Sequence, residues 1–358
     1  MKKISLIKKA AIALTMSVAA TGMMTSAANA QIAGHNVLLV HGFQFGDLSS
    51  KPSDTEVYSR DLISNFWQDR AEGKLNWSSA ERVEGKISEQ ILEQAITYSE
   101  QGTCANGCVL VIHSTGDQVM RHFMANQAVW MTNAGYEPLD IVATIDFGGA
   151  GGGTDFADYA VGIVANNSVP QWIKDTVGWF LGLDLSASDM SDLGVVQDLT
   201  YSGARNISMQ PNDIPRLRFS GSGGNVIMHS LLSGSDDGVV PASSSCAASS
   251  PNSIDSCSGS VKYSGKQSGV SGPSGLLYNH FPVLMSNNYD HGGLKEDAHK
   301  GKVTYVQNNF NAGLSVDFST YSTSVPWWQF WRETGTFKYV SGSDNQSMSS
   351  LVYNTLNN

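Results

Sequence analysis

Short apolar runs alternate with stretches whose apolar residues recur every three to four positions, and this alternation carries the chain as far as about Phe147. Asn36-Val-Leu-Leu-Val40 has the make-up of a buried strand and ends at His41-Gly42. From Val57 to Arg70 a helical spacing sets Val57, Tyr58, Leu62, Ile63, Phe66 and Trp67 on one face. Residues 87–98 repeat the habit with Ile87, Ile91, Ala95 and Tyr98, and Gly102 marks the stop. Val109-Leu-Val-Ile-His113 is a second buried strand, broken at Ser114-Thr-Gly116 and followed by a helical pattern from about Asp117 to Thr132 through Val119, Phe123, Ala128 and Met131. Ile141-Val-Ala-Thr-Ile145 reads as the next strand. Strands alternating with helices of this length predict an α/β fold with a doubly wound, mainly parallel sheet.

Regularity lapses between about Gly148 and Gly224, an interval too long for a simple loop and therefore read as an inserted cap or lid. Inside it, Pro170 opens a segment with Trp172, Ile173, Val177, Phe180 and Leu181 at helical spacing. That segment is either a helix packed on the core or a mobile lid over an apolar site. The sheet is expected to resume at Val226-Ile-Met-His-Ser-Leu-Leu232, with Ser/Gly-rich loops over 242–275 and a last core helix over Leu294–Asn311. The main domain thus spans 31–313, and 314–358 form an extension rich in aromatics: Trp327, Trp328, Phe330, Trp331, Phe337 and Tyr339. Such a cluster suits a lipid interface or a bound substrate chain; the preferred reading is terminal strands packed on the body.

The first thirty residues change the setting of this fold. Lys2, Lys3, Lys8 and Lys9 precede an apolar run, and Ala28-Asn29-Ala30 supplies a small-residue cleavage site, the pattern of a secretory signal peptide. The expected product is periplasmic or secreted and begins at Gln31. Without those lysines it is more acidic than the net −10 of the whole chain, which argues against nucleic-acid partners. Outside the leader no run is long and apolar enough to span a bilayer. Export permits disulfides, and proximity favours Cys104 with Cys108 and Cys246 with Cys257. Cys104-x-x-x-Cys108 as half of a zinc site lacks a second ligand pair, so no metal and no cofactor is expected.

The break at Ser114-Thr-Gly116 is where chemistry enters. A strand, a sharp turn carrying a serine, and a helix form an elbow that lifts the hydroxyl above the sheet edge. A serine hydroxyl needs a base, an acid that orients the base, and donors for an oxyanion, and the acid and base should follow in the order Asp, then His. Ser235-Asp-Asp-Gly-Val-Val-Pro241 offers the acid, and Asp237 is preferred to Asp236 by its spacing to Val240-Pro241; the alternative is an Asp-Gly turn without a catalytic part. His291, in Tyr289-Asp-His-Gly-Gly-Leu294, is the preferred base. His280 competes in a more packed setting, His299 falls in the expected last helix, His113 is expected below the serine, and His41 and His122 have no suitable position. Backbone N–H groups of Phe43 and Thr115 are the candidate oxyanion donors.

These residues resemble the secreted bacterial triacylglycerol lipases of the α/β-hydrolase superfamily. Asn36 to Asp47 carries the resemblance for the oxyanion loop, Val109 to Phe123 for the elbow, Asp236-Asp-Gly-Val-Val-Pro241 for the acid loop and, more faintly, Ile141 to Asp158 for the strand and turn after the elbow helix. The match spans roughly 35–310. It implies an α/β-hydrolase fold and hydrolysis of carboxylic esters, lipids among them, through an acyl-enzyme on Ser114, His291 and Asp237. The chain departs from the pattern at Ile112, which replaces the first elbow glycine, at Asp117, which puts a carboxylate after the second, and at Gly149-Ala150 in place of Pro-His. The lipases' structural calcium site has a carboxylate two residues after the catalytic histidine; Gly293 stands there, so no calcium is expected at that position. The same fold also accommodates a polyester depolymerase using the terminal aromatics, or a non-catalytic pseudo-hydrolase binding an apolar ligand.

Overall fold

The computed structural model describes residues 31–166, 168–208, 213–251, 253–268, 275–305 and 318–358. The leader expected over residues 1–30 lies outside them. Their framework is a mixed α/β arrangement around an eight-stranded, mostly parallel sheet, which fits the expected α/β-hydrolase class. Its strands are β1 (Gln31–Ile32), β2 (His35–Val40), β3 (Gly73–Leu75), β4 (Cys108–His113), β5 (Ile141–Phe147), β6 (Arg216–Gly221), β7 (His280–Ser286) and β8 (Thr304–Tyr305). β2, β4, β5, β6 and β7 lie side by side and parallel, β3 runs parallel to β2, and β1 and β8 pair antiparallel at the two ends. Because the five central strands end at one edge, the loops that follow them converge there.

A central strand of a parallel sheet is covered on both faces, which is why β4 is an unbroken apolar run with all six residues buried. The side chains still alternate. Leu38, Val40, Leu110 and Ile112 enter the core on one face, and Val37, Leu39, Val109 and Val111 the core on the other. Flanking helices Ser88–Gln101 and Gly116–Ala134 form where the 3.6-residue spacing places them, the first ending at Gly102.

Four readings need correction. Val57–Arg70 is not one helix but two short ones, Asp54–Ser59 and Asn65–Gln68, because the Arg60 carbonyl is taken by the Asn76 side chain at 2.9 Å and the Arg60 guanidinium by Asp47 at 2.7 Å. Val226–Leu232 holds only the helical turn Val226–His229; the strand is β6, inside the interval read as a cap. β6 escapes a hydropathy reading because Arg216 and Arg218 alternate with Leu217 and Phe219, and all four are buried. Any insertion therefore ends before Arg216; its helices are Asp155–Val164, Gln171–Leu181 and Tyr201–Ser208, with a 3₁₀ stretch at Met190–Gln197. Leu294–Asn311 is no helix where it is described: a 3₁₀ turn at Gly293–Lys295 leads to β8, and residues 306–311 lie outside the described chain.

The fourth correction concerns the extension, whose first residues, 314–317, are outside the described chain. β9 (Thr320–Val325) and β10 (Gly335–Val340) form an antiparallel hairpin, and Phe318, Val340 and the helix Met348–Leu356 pack into the second core, as expected of terminal strands. The aromatics at its tip do not. Trp327, Trp328, Phe330 and Trp331 are 80, 58, 83 and 71% exposed. Both expected disulfides are present, Cys104–Cys108 and Cys246–Cys257, which removes the first pair from any zinc reading. Among the described residues no helix is long and apolar enough to cross a membrane.

Candidate active site

Ser114 stands at the end of β4 with φ of 57°, a left-handed conformation that a residue with a Cβ adopts at a cost of about 1–3 kcal/mol. Its backbone is held on both sides: Ser114 N donates to Phe147 O at 3.1 Å, and Ala150 N donates to Ser114 O at 2.9 Å. The helix starting at Gly116 passes so close to β2 that a Cβ there would lie 2.6 Å from the His41 carbonyl oxygen. Ile112 is accommodated instead as a fully buried core residue, so the close approach in this elbow rests on Gly116.

His291 reaches Ser114 from the loop after β7. Its Nε2 is 2.8 Å from Ser114 Oγ and its Nδ1 is 2.8 Å from Asp237 Oδ2. The other Asp237 oxygen accepts from the backbone of Val240 at 2.8 Å and of Val239 at 3.1 Å, and His291 N donates to Asp237 O at 2.9 Å. The two loops are thereby tied by backbone as well as side chain. Asp236 turns the other way, to His229 Nδ1 at 2.5 Å and Gly238 N at 2.8 Å. The competing histidines are engaged elsewhere: His280 Nδ1 donates to Tyr278 O at 2.8 Å, and His299 Nε2 donates to Ser343 O at 2.9 Å. Gly148, with φ of 57°, closes the far side, where a Cβ would come within 2.9 Å of Asp237 Oδ2 and 3.0 Å of His291 Nδ1.

Two histidines to which the sequence assigned no chemistry support this group. His113 donates Nε2–H to the His291 carbonyl oxygen at 3.0 Å, with the rings 4.7 Å apart; burial, then the proximity of His291, pushes its pKa well down and keeps it neutral. His41 donates Nδ1–H to Gly42 O at 2.6 Å, accepts from Trp77 N at 3.1 Å and stacks on the Trp77 ring; burial lowers its pKa to about 4. His41 thus holds the turn that ends at Phe43. Phe43 and Thr115 border the same cavity as Ser114 and His291, and among the described residues neither backbone N–H has a protein acceptor. That cavity measures about 410 Å³ and is mainly apolar, with Phe45, Phe156, Phe180, Leu181, Val196 and Leu199 in its wall.

Asp117 does not face the cavity. It is fully buried and binds Arg121 at 2.6 Å, Arg218 at 2.7 Å and Gly151 N at 2.9 Å, while Arg218 also meets Asp146 at 2.5 Å. Burial opposes its charge, but the Arg121 and Arg218 guanidinium groups more than offset this and hold the carboxyl below its usual range. Arg218 additionally donates to the carbonyls of Gly149 at 3.3 Å and Ser244 at 3.2 Å. The network therefore pins the glycine-rich loop that supports Ser114. Glu296 and Asp297, the remaining candidates for a cation, are engaged by Lys295 and by Ser347 and Ser350 respectively.

No protein-family model and no curated protein matches this chain. Among solved structures it is similar to the Staphylococcus hyicus lipase, at 14% identity over 73% of this chain and 88% of that one, with a TM-score of 0.40. It is also similar to lipase 1 from Pelosinus fermentans, at 15% identity over 74% of this chain and 93% of that one, with a TM-score of 0.38. The mature Bacillus licheniformis lipase BlEst2 is another such neighbour, at 14% identity over 57% and 76% of the two chains and a TM-score of 0.35.

Three outcomes follow from this geometry. Asp117→Ala strands the buried Arg121 guanidinium and leaves Arg218 with Asp146 as its remaining carboxylate, and should lower the unfolding free energy in urea by about 3–5 kcal/mol; a change within experimental error would contradict the network. Gly148→Ala should cut turnover far more than it changes KM, because the new methyl displaces the Asp237–His291 pair; unaltered kinetics would refute that crowding. The buried neutral histidines bind fewer protons folded than unfolded, so their stabilisation is complete above the unfolded value of 6.5 and is lost as pH falls toward the folded values. Going from about pH 7 to about pH 5, His41 alone should remove about 2 kcal/mol of stability. A flat or rising unfolding free energy over that range would be the contrary result.

Proposed function

We propose that this chain is a secreted serine hydrolase that cleaves carboxylic esters, lipids among them, through an acyl-enzyme. One observation carries the reading: an unbroken hydrogen-bonded line from Ser114 Oγ through His291 to Asp237, each link 2.8 Å, at the mouth of an apolar cavity. His291 Nε2 accepts the Ser114 proton as Oγ attacks the ester carbonyl, and Asp237 holds the ring and stabilises the imidazolium. The carbonyl oxygen, now an anion, takes the Phe43 and Thr115 backbone N–H groups. His291 returns the proton to the departing alkoxide, which leaves as the alcohol. Water, deprotonated by the same imidazole, then attacks the acyl-enzyme; collapse of the second tetrahedral intermediate frees the acid and restores the serine.

The wall of Phe156, Phe180, Leu181 and Leu199 suits the acyl chain of an ester. In this reading the helix Gln171–Leu181 serves as the cap: Phe180 and Leu181 turn toward the cavity, while Trp172 and Trp179 face outward. Export is supported by the leader pattern and by the two disulfides.

Ser114→Ala, folded by circular dichroism, should lose on the order of 10⁴-fold or more in kcat on p-nitrophenyl esters, and His291→Ala a comparable factor. His280→Asn should keep most of its turnover. Equal losses at the two histidines, or turnover that survives in folded Ser114→Ala, would overturn the assignment.

A further inference from the structure

Tryptophan has the largest apolar surface to hide, yet five of the eight tryptophans of this chain are more than half exposed. They occur in two places only. Trp172 and Trp179 are on the outer face of the helix whose Phe180 and Leu181 line the cavity, and Trp327, Trp328 and Trp331 join Phe330 at the tip of the β9–β10 hairpin. At the tip the rings pair with one another, Trp327 with Trp328 at 6.1 Å and Phe330 with Trp331 at 5.5 Å.

The hairpin beneath them is firmly held. Gln267 N donates to Thr336 O, Lys338 N to Gly265 O and Val340 N to Val303 O, each at 2.8 Å, and Lys266 pairs with Glu333 at 3.1 Å. Phe337 is buried behind it. The aromatics are thus presented on a rigid support, and docking them costs little conformational entropy.

We propose that this tip is an interfacial anchor that seats the protein on a neutral or zwitterionic lipid surface. The chemistry of the tip selects that occupant. Pro326-Trp-Trp-Gln-Phe-Trp331 carries no charge and no Val, Leu, Ile or Met, and three of its four aromatic side chains are indoles, which combine an apolar body with one N–H donor and settle at the headgroup level of a bilayer. Arg332 and Glu333 flank it with opposite signs, and the chain as a whole is at −10, so electrostatic attraction to an anionic surface is absent. The same indole chemistry recurs on the outer face of the cavity-lining helix, at Trp172 and Trp179. The anchor is separate from Ser114 and stands whether or not that residue is catalytic.

Sedimentation with vesicles of ether-linked phosphatidylcholine, which an esterase cannot hydrolyse, separates the two claims. The full chain should pellet with the vesicles, and bromine-labelled lipid should quench its tryptophan fluorescence. The combined variant Trp327→Ser, Trp328→Ser, Phe330→Ser and Trp331→Ser should lose about ten-fold or more in vesicle affinity while keeping its melting temperature and its turnover of a soluble short-chain ester. The proposal is overturned if the unaltered chain stays in the supernatant, if the variant binds equally well, or if binding requires anionic lipid. It is equally overturned if the variant only converts a dimer to a monomer, which would make a second copy the occupant.

Discussion

Ser114 occupies a backbone conformation that an L-residue avoids, and much of the surrounding structure exists to keep it there. The left-handed φ turns the chain from β4 into its helix within a few residues and aims the hydroxyl out of the sheet edge. That turn persists because its neighbours over-determine it: Phe147 and Ala150 hold its backbone, and the first turn of the helix fits against β2 only because Gly116 lacks a side chain. The parallel sheet then delivers the loops after β2, β5, β6 and β7 to the same place.

The loops are stiffened from behind by charge and by neutral imidazole. Asp117, Arg121, Arg218 and Asp146 form a buried network that grips the carbonyl of Gly149 and the N–H of Gly151, while His41 and His113 brace the turn at Phe43 and the loop at His291. A hydrophobic filling could be as stable. Charged groups add direction, because each backbone group they bind is fixed in angle as well as position. The carboxylate of Asp117, one of the departures from the lipase pattern, is thus part of the elbow's support.

The strands β2, β4 and β5 and the helices Ser88–Gln101 and Gly116–Ala134 were legible because their apolar spacing reflects burial directly, and the Ser114, Asp237 and His291 set could be assembled from its order along the chain. β6 was hidden because one of its two buried faces is arginine, and the partners of Arg218, Asp117 and Asp146, are distant in sequence. The supporting roles of His41, His113 and Gly148 are tertiary and have no local signature. For the hairpin tip the sequence offered both outcomes; what it lacked was the register of β9 with β10, which places the four aromatics beyond the last paired residues.

Whether Ser114 is an activated nucleophile is tested by mass-spectrometric mapping of the folded protein after a fluorophosphonate reagent. One phosphonyl adduct per chain is expected, on the peptide that contains Ser114, lost when the protein is unfolded before treatment. An unlabelled folded protein, or an adduct on a different serine, would contradict it.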